Sequence, residues 1–280
     1  MPLDTPQGAL TLRERSVSTD PTIIYTPPSY VQSGEAISYG ATSVSVSLAK
    51  NVTAGDVFAV GVMWENSSTA ITGITDTCGT SGGSDTYTIL GSPVVGQYND
   101  MQLAYAVVKT SGSCTITATL GASSPTHGRI EIFADEIAGI SPANPVDGGQ
   151  YALNFQSDPA GTNAVASGDI NVGRAGDYLW GIAFNEGEDA GIPIAPGTGY
   201  VLGGSGTITE TEYAVSASPG KAAATFTRGW TYGSFITGII PFRPGVAISP
   251  GNGTIYVEQG SARQTSSCFQ RATMNSPPCQ

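Results

Sequence analysis

The sequence is short of charge. Only 12% of its 280 residues are Asp, Glu, Lys or Arg, and 11 basic residues stand against 22 acidic ones. The resulting net charge of −11 repels phosphates and argues against nucleic acid partners. There is one histidine, His127, and four cysteines with no Cys-x-x-Cys pair, so zinc ligands at workable spacing are missing. No run approaches the ~18–20 apolar residues of a membrane span. No stretch of ten residues keeps a helical period. The opening "MPLDTPQGALTLRERSVSTD" lacks the basic segment and following apolar run of a secretory signal peptide.

What is plentiful is Gly (37) and Pro (18), with many Ser, Thr and Val, and hydrophobic residues reach 40%. That is too apolar for a disordered chain. Strand formers divided by turn formers predict many short antiparallel strands. The expected fold class is all-β: an antiparallel two-sheet β-sandwich, jelly-roll-like, with extended N- and C-terminal arms. Residues 1–28, Pro-punctuated and ending in "YTPPSY", read as an N-terminal arm. Residues 29–244 read as the sandwich and 245–280 as a polar C-terminal arm in which "TIYVEQ" is a possible added strand. In "TSVSVSLA" (42–49) Val44, Val46 and Leu48 alternate with serines, the pattern of an outer strand with one wet face. "DVFAVGVMWE" (56–65) and "DYLWGIAFN" (177–185) are apolar on both faces and should be central.

One phrase is used twice. "NVTAGD" leads into "VFAVGVMWE", and "NVGRAGD" leads into "YLWGIAFNE". "YAV", a Gly/Ser turn and a Thr-rich strand follow in each half. Gly permits a sharp bend, and Asp can hydrogen-bond the turn before a buried strand. The phrase therefore reads as turn chemistry rather than catalysis. The bulky residues (Phe58, Val60, Val62 and Trp64; Tyr178, Trp180, Ile182 and Phe184) align one position off, and such a shift swaps sheet faces. Shared backbone layout in two halves of one sandwich is the expectation.

Residues with chemistry are few. His127 lies in "SPTHGR" with no G-x-S-x-G elbow, and reads as a loop histidine. Glu186, Glu188 and Asp189 share the loop "NEGEDAG" and could hold Ca²⁺, but the D-x-D-x-D-G spacing is missing and a solvated acidic loop is preferred. Glu210 and Glu212 share one strand face, expected to be the wet one, at the ~7 Å spacing of alternate strand residues. No catalytic residue, metal or cofactor is assigned. Trp64 and Trp180 fall in apolar strands and read as core, whereas Trp230 with Tyr232 beside a turn is a candidate ligand surface. Cys78 and Cys114 flank neighbouring strands and are disulfide candidates. Cys268 and Cys279 could pair with each other or between subunits, with free thiols the alternative for both pairs.

Taken together, "NVTAGDVFAVGVMW", "ITGITDTCGTSGGSDTYT", "LAYAVVKTSGSCTITATL", "INVGRAGDYLWGIAF" and "ITGIIPFRP" resemble a module common in phage virion proteins and secreted bacterial surface proteins. The resemblance covers about residues 40–244. It implies a jelly-roll or lectin-like sandwich and brings no catalytic residues. "CGTSGG" and the Cys-bearing tail depart from the module. The expectation is a non-enzymatic structural protein of a phage-like virion, in capsid decoration, tail or fibre. Its arms would bind other virion proteins and copies of itself, as in a homotrimer. The alternative is a secreted or cell-surface carbohydrate-binding module with a glycan ligand. Either places the chain in a virion or extracellular setting.

Overall fold

A computed structural model describes residues 22–65, 69–79, 85–122, 128–157, 163–186, 194–229 and 233–249. Residues Ile24–Ala247 form one compact unit, and Met1–Ile23 with Ile248–Gln280 group separately. Among the described residues no helix is long and apolar enough to cross a membrane. The single helical element among the described residues is a short 3₁₀ turn at Asp147–Gly149.

The first half supplies β2 (Ser29–Tyr39), β3 (Ser43–Ser47), β4 (Val57–Glu65), β5 (Ile71–Asp76), β6 (Tyr87–Val95), β7 (Asn99–Val107), β8 (Thr115–Leu120) and β9 (Arg129–Ala138). They pair into a five-stranded sheet, β2-β9-β4-β7-β6, and a three-stranded sheet, β3-β8-β5. The second half supplies β10 (Ala152–Gln156), β11 (Ala164–Ala166), β12 (Ile170–Val172), β13 (Tyr178–Asn185), β14 (Ile194–Pro196), β15 (Val201–Ser205), β16 (Thr209–Val215), β17 (Gly220–Ala222), β18 (Thr225–Arg228) and β19 (Phe235–Phe242). Its sheets run β10-β19-β13-β16-β15 and β11-β18-β14, with a β12-β17 ladder beside the smaller sheet's connections. The connectivity is that of the first half written again, with β3 and β8 each broken in two. Before and after these halves, β1 (Thr22–Thr26) and β20 (Gly245–Ser249) pair with each other.

The all-β antiparallel sandwich expected from the sequence is what forms. Its layering goes deeper than two sheets, because each half builds its own pair. One core lies between the two sheets of the first half and holds Val44, Val46, Phe58, Val60, Val62 and Trp64. Another lies between the sheets of the second half and holds Val165, Leu179, Ala183, Phe226 and Ile239. A third joins the two five-stranded sheets face to face: Val57, Ala59, Met63, Leu103 and Phe133 pack against Tyr178, Trp180, Ile182, Phe184 and Ile240. Both five-stranded sheets are thus inner layers. That is why β4 and β13 are apolar on both faces, whereas β3, an outer strand, keeps the alternation read from its serines.

The repeated phrase makes the same turn twice. Gly55 and Gly176 sit at φ +95° and +90°, open to glycine at little cost. Gly55 N donates to Val108 O (2.8 Å) and Val108 N returns to Asp56 O (2.9 Å). Gly176 N donates to Ser216 O (2.8 Å) and Ser216 N returns to Asp177 O (2.8 Å). Backbones therefore match residue for residue from these turns, Val57 with Tyr178 and Ala59 with Trp180. The offset of bulky side chains is then a division of faces. The first copy turns its bulk toward its own outer sheet, and the second turns its bulk toward the first copy.

Candidate functional site

The two halves meet along two seams, one where β6 nears β10 and one where β2 nears β15. At the first, Glu186 closes the β6–β7 turn of the other half. Its Oε1 accepts Tyr98 N (3.2 Å) and Asn99 N (3.0 Å), and its Oε2 accepts Gln97 N (3.2 Å). At the second, Glu35 Oε1 accepts Thr207 N at 2.8 Å from the β15–β16 turn. Gly204 lets β15 lie against β2, since a Cβ there would meet Ser33 Oγ at 2.5 Å and the Phe133 ring at 2.7 Å.

Buried carboxyls cross the shared core. Trp180 Nε1 donates to Asp135 Oδ2 at 2.7 Å. Thr209 Oγ1 and Arg129 both donate to Glu131. Burial pushes Asp135 up to about 7 against the bonds from Trp180 and Thr211. Burial also lifts Glu131 to about 7 against the pull of Arg129 and Thr209, with neighbouring Glu35 adding to the rise. The aspartates of the repeated phrase behave alike. Burial, then the neighbouring Glu136 carboxyl, raises Asp56 to about 7. Burial, then the charge of Asp147, raises Asp177 to about 7. Burial works on Asp147 too, but Arg243 Nε (2.9 Å) and Gly173 N (2.6 Å) outweigh it and hold Asp147 below its ordinary value.

A groove follows the edge strand β10. It measures about 560 Å³ and is lined by Ser92 and Val94 of β6, by Tyr151 to Asn154, and by Ser167 and Gly168. It wraps both faces of β10, because Tyr151 and Leu153 point to the shared core and Ala152 to the second half's own core. β6 makes room by a bulge: its register with β7 breaks between Leu90 and Val94. Gly91 in that bulge has φ +56°, and a Cβ there would sit 1.7 Å from the Tyr151 hydroxyl. The lining contains no carboxylate, histidine, lysine or arginine, and its polar groups are Ser92, Tyr151, Asn154 and Ser167. Two of its polar side chains are already committed. Asn154 Nδ2 donates to Ala166 O (2.9 Å), and Ser167 Oγ donates to Gly168 O while accepting Ala224 N (both 3.0 Å).

The sequence-derived candidates fare differently. Cys78 and Cys114 form a disulfide that closes a 36-residue separation. Asp76 lies beside them, and the three make a potential metal-ligand set, but sulfurs bonded to each other are not thiolate ligands. Asp76 instead caps the turn: Oδ1 accepts Cys78 N (3.1 Å) and Oδ2 accepts Asp85 N (3.0 Å). Glu186, considered as a Ca²⁺ ligand, is buried with its carboxylate occupied by three backbone N–H groups. Glu210 and Glu212 do share a face, but that face is not wet at Glu212. Glu212 is fully buried, with Gly197 N and Thr225 N donating to it at 2.8 Å. Burial against those two bonds puts it at about 7. The outer strands of the second half cover it, which a single strand's alternation could not reveal. Trp64 and Trp180 are core, as read. His127, Glu188, Asp189, Trp230, Tyr232, Cys268 and Cys279 lie outside the described residues.

Sequence reasoning missed Tyr151, Leu153, Ser92 and Val94 as a groove. The cue was "GSP" at 91–93, a Gly-Pro interruption within a strand that marks the bulge. No protein-family model matches the chain, and neither a curated protein nor a solved structure matches it.

Proposed function

We propose that the chain is a structural protein of a phage-like particle: a rigid β block whose terminal segments bind neighbouring subunits. The observation that carries this reading is the shared core. Two complete sandwiches are fused through Val57, Ala59, Met63 and Phe133 on one side and Tyr178, Trp180, Ile182 and Phe184 on the other. Such a block suits a mechanical spacer, since close-packed protein interiors deform little. Its buried acids support the same reading, because Glu186, Glu131, Asp135 and Glu212 each serve an internal hydrogen bond. A hydrolase would need such groups turned toward a substrate cleft. Binding by the ends gains from multivalency, because each added attachment is effectively intramolecular.

The test compares the full chain with residues 22–249 by mass photometry under reducing and non-reducing conditions. The full chain is expected to form a closed oligomer, of which a homotrimer is the simplest case. The shortened chain is expected to be monomeric. Equal assembly of the two rejects the proposal.

A further inference from the structure

We infer that the β10 groove is a strand-addition seat, and that its occupant is the segment Thr254–Gln259 of a second copy. The inference rests on the proposal that the terminal segments bind neighbours, and it names where one of them docks.

Three observations favour a peptide strand over a small solute. First, among the described residues β10 ends its sheet and pairs only with β19. In an antiparallel edge strand every second residue turns its N–H and C=O away from the one neighbour it has. The groove follows four consecutive residues along that edge, Tyr151 to Asn154, or ~13 Å of extended chain. Second, Asn154 and Ser167 are already bonded within the protein. A sugar would draw on side-chain amides and hydroxyls of this kind, whereas an added strand draws on the backbone. Third, the two walls differ. Val94, Tyr151 and Leu153 make one wall apolar, and Ser167 with Asn154 makes the other polar. An alternating strand would match both walls at once, since its side chains point to opposite faces.

The chain contains such a strand outside the described residues. Thr254-Ile255-Tyr256-Val257-Glu258-Gln259 sets Ile255 and Val257 on one face and Thr254, Tyr256 and Glu258 on the other. Ile255 and Val257 would lie on Val94 and Leu153. Thr254–Gln259 carries a single charge, Glu258, and the groove lining carries none, so the match is one of backbone pairing and apolar side chains.

A complementation experiment with full-length chains decides the matter. Ser92→Arg fills the groove at an exposed position and leaves the tail intact. Ile255→Asp with Val257→Asp disables the tail and leaves the groove open. Each variant alone is expected to be monomeric by mass photometry with an unchanged melting temperature. An equimolar mixture is expected to give dimers, since one good groove then meets one good tail. A fluorescein-labelled peptide of residues 252–261 should bind the tail variant at least about tenfold more tightly than it binds Ser92→Arg. If both variants assemble like the wild type while deletion of 250–280 abolishes assembly, the seat is wrong and the proposed function stands. If the deletion leaves assembly unchanged, both fail. Monomeric variants that do not associate when mixed would place the tail on its own chain and overturn the second copy as occupant. Binding of soluble oligosaccharides that Ser92→Arg abolishes, with self-association intact, would make the groove a sugar site instead.

Discussion

Ile182 of the second half occupies the space that Gly61 leaves in the first. A Cβ on Gly61 would approach Ile182 Cδ1 to 2.5 Å and Leu103 Cδ2 to 3.9 Å. The two positions are equivalents in the repeated layout, so at one place the first copy is smallest where the second is large. This is how two sandwiches of like connectivity stack without clash: the repeat is kept in the backbone and broken in side-chain size.

The contact predicts strong coupling. Gly61→Val should destabilise the protein by about 1–3 kcal/mol through overpacking. Ile182→Ala alone should cost about 2–5 kcal/mol through the cavity it leaves. Combined, the two should cost less than their sum. Denaturant titration of the four proteins in a double-mutant cycle measures this, and strict additivity would show that the residues do not touch.

Stability should rise as pH falls from about 8 to about 5. Asp56, Glu131, Asp135, Asp177 and Glu212 are each raised to about 7 in the fold, against ~4 for unfolded carboxylic acids. Each therefore binds its proton more tightly when folded. Its stabilising effect is full below ~4 and is lost as pH rises through about 7. Asp147, held low, acts in the opposite sense and loses its contribution only as pH falls below ~4. The midpoint of urea unfolding at pH 5.5 should exceed that at pH 8. Asp135→Asn should flatten the difference, because an amide oxygen still accepts from Trp180 but does not titrate. A midpoint that is flat or climbs with pH would contradict the buried-acid account.

The Cys78–Cys114 bridge should be a stabiliser of the first half. Its 36-residue separation corresponds to about 4 kcal/mol of loop-closure entropy. Replacing both cysteines by Ser should lower the unfolding free energy by up to that amount, and the wild type under reductant should follow. Equal stability in all three would show that the bridge does not constrain the unfolded chain.

Glu186 predicts a local effect at a distance in sequence. Glu186→Ala leaves the N–H groups of Gln97, Tyr98 and Asn99 without their acceptor. The cost should be about 1–3 kcal/mol, with faster amide exchange confined to the β6–β7 turn. Glu186→Gln, which keeps one carbonyl oxygen, should recover part of it. Unchanged exchange at residues 97–99 would remove Glu186 as the anchor of that seam.

Much of the fold was legible from local pattern. The serines alternating with Val44, Val46 and Leu48 mark an outer strand, and the unbroken apolar runs of β4 and β13 mark inner ones, because side-chain alternation is a property of a few adjacent residues. Ala-Gly-Asp marked its turns because a positive φ demands glycine. β2 was not singled out, since "SYVQSGEAISY" mixes polar residues and Gly without a clean period. Only the tertiary structure decided which side of each inner strand would meet the other half. It also decided that Glu212 would be buried, that Glu186 would hold a turn some ninety positions earlier, and that β10 would end its sheet beside β6 among the described residues. Those outcomes depend on how sheets made from distant segments stack, and a strand's own residues carry the period of its faces but not the identity of what covers them.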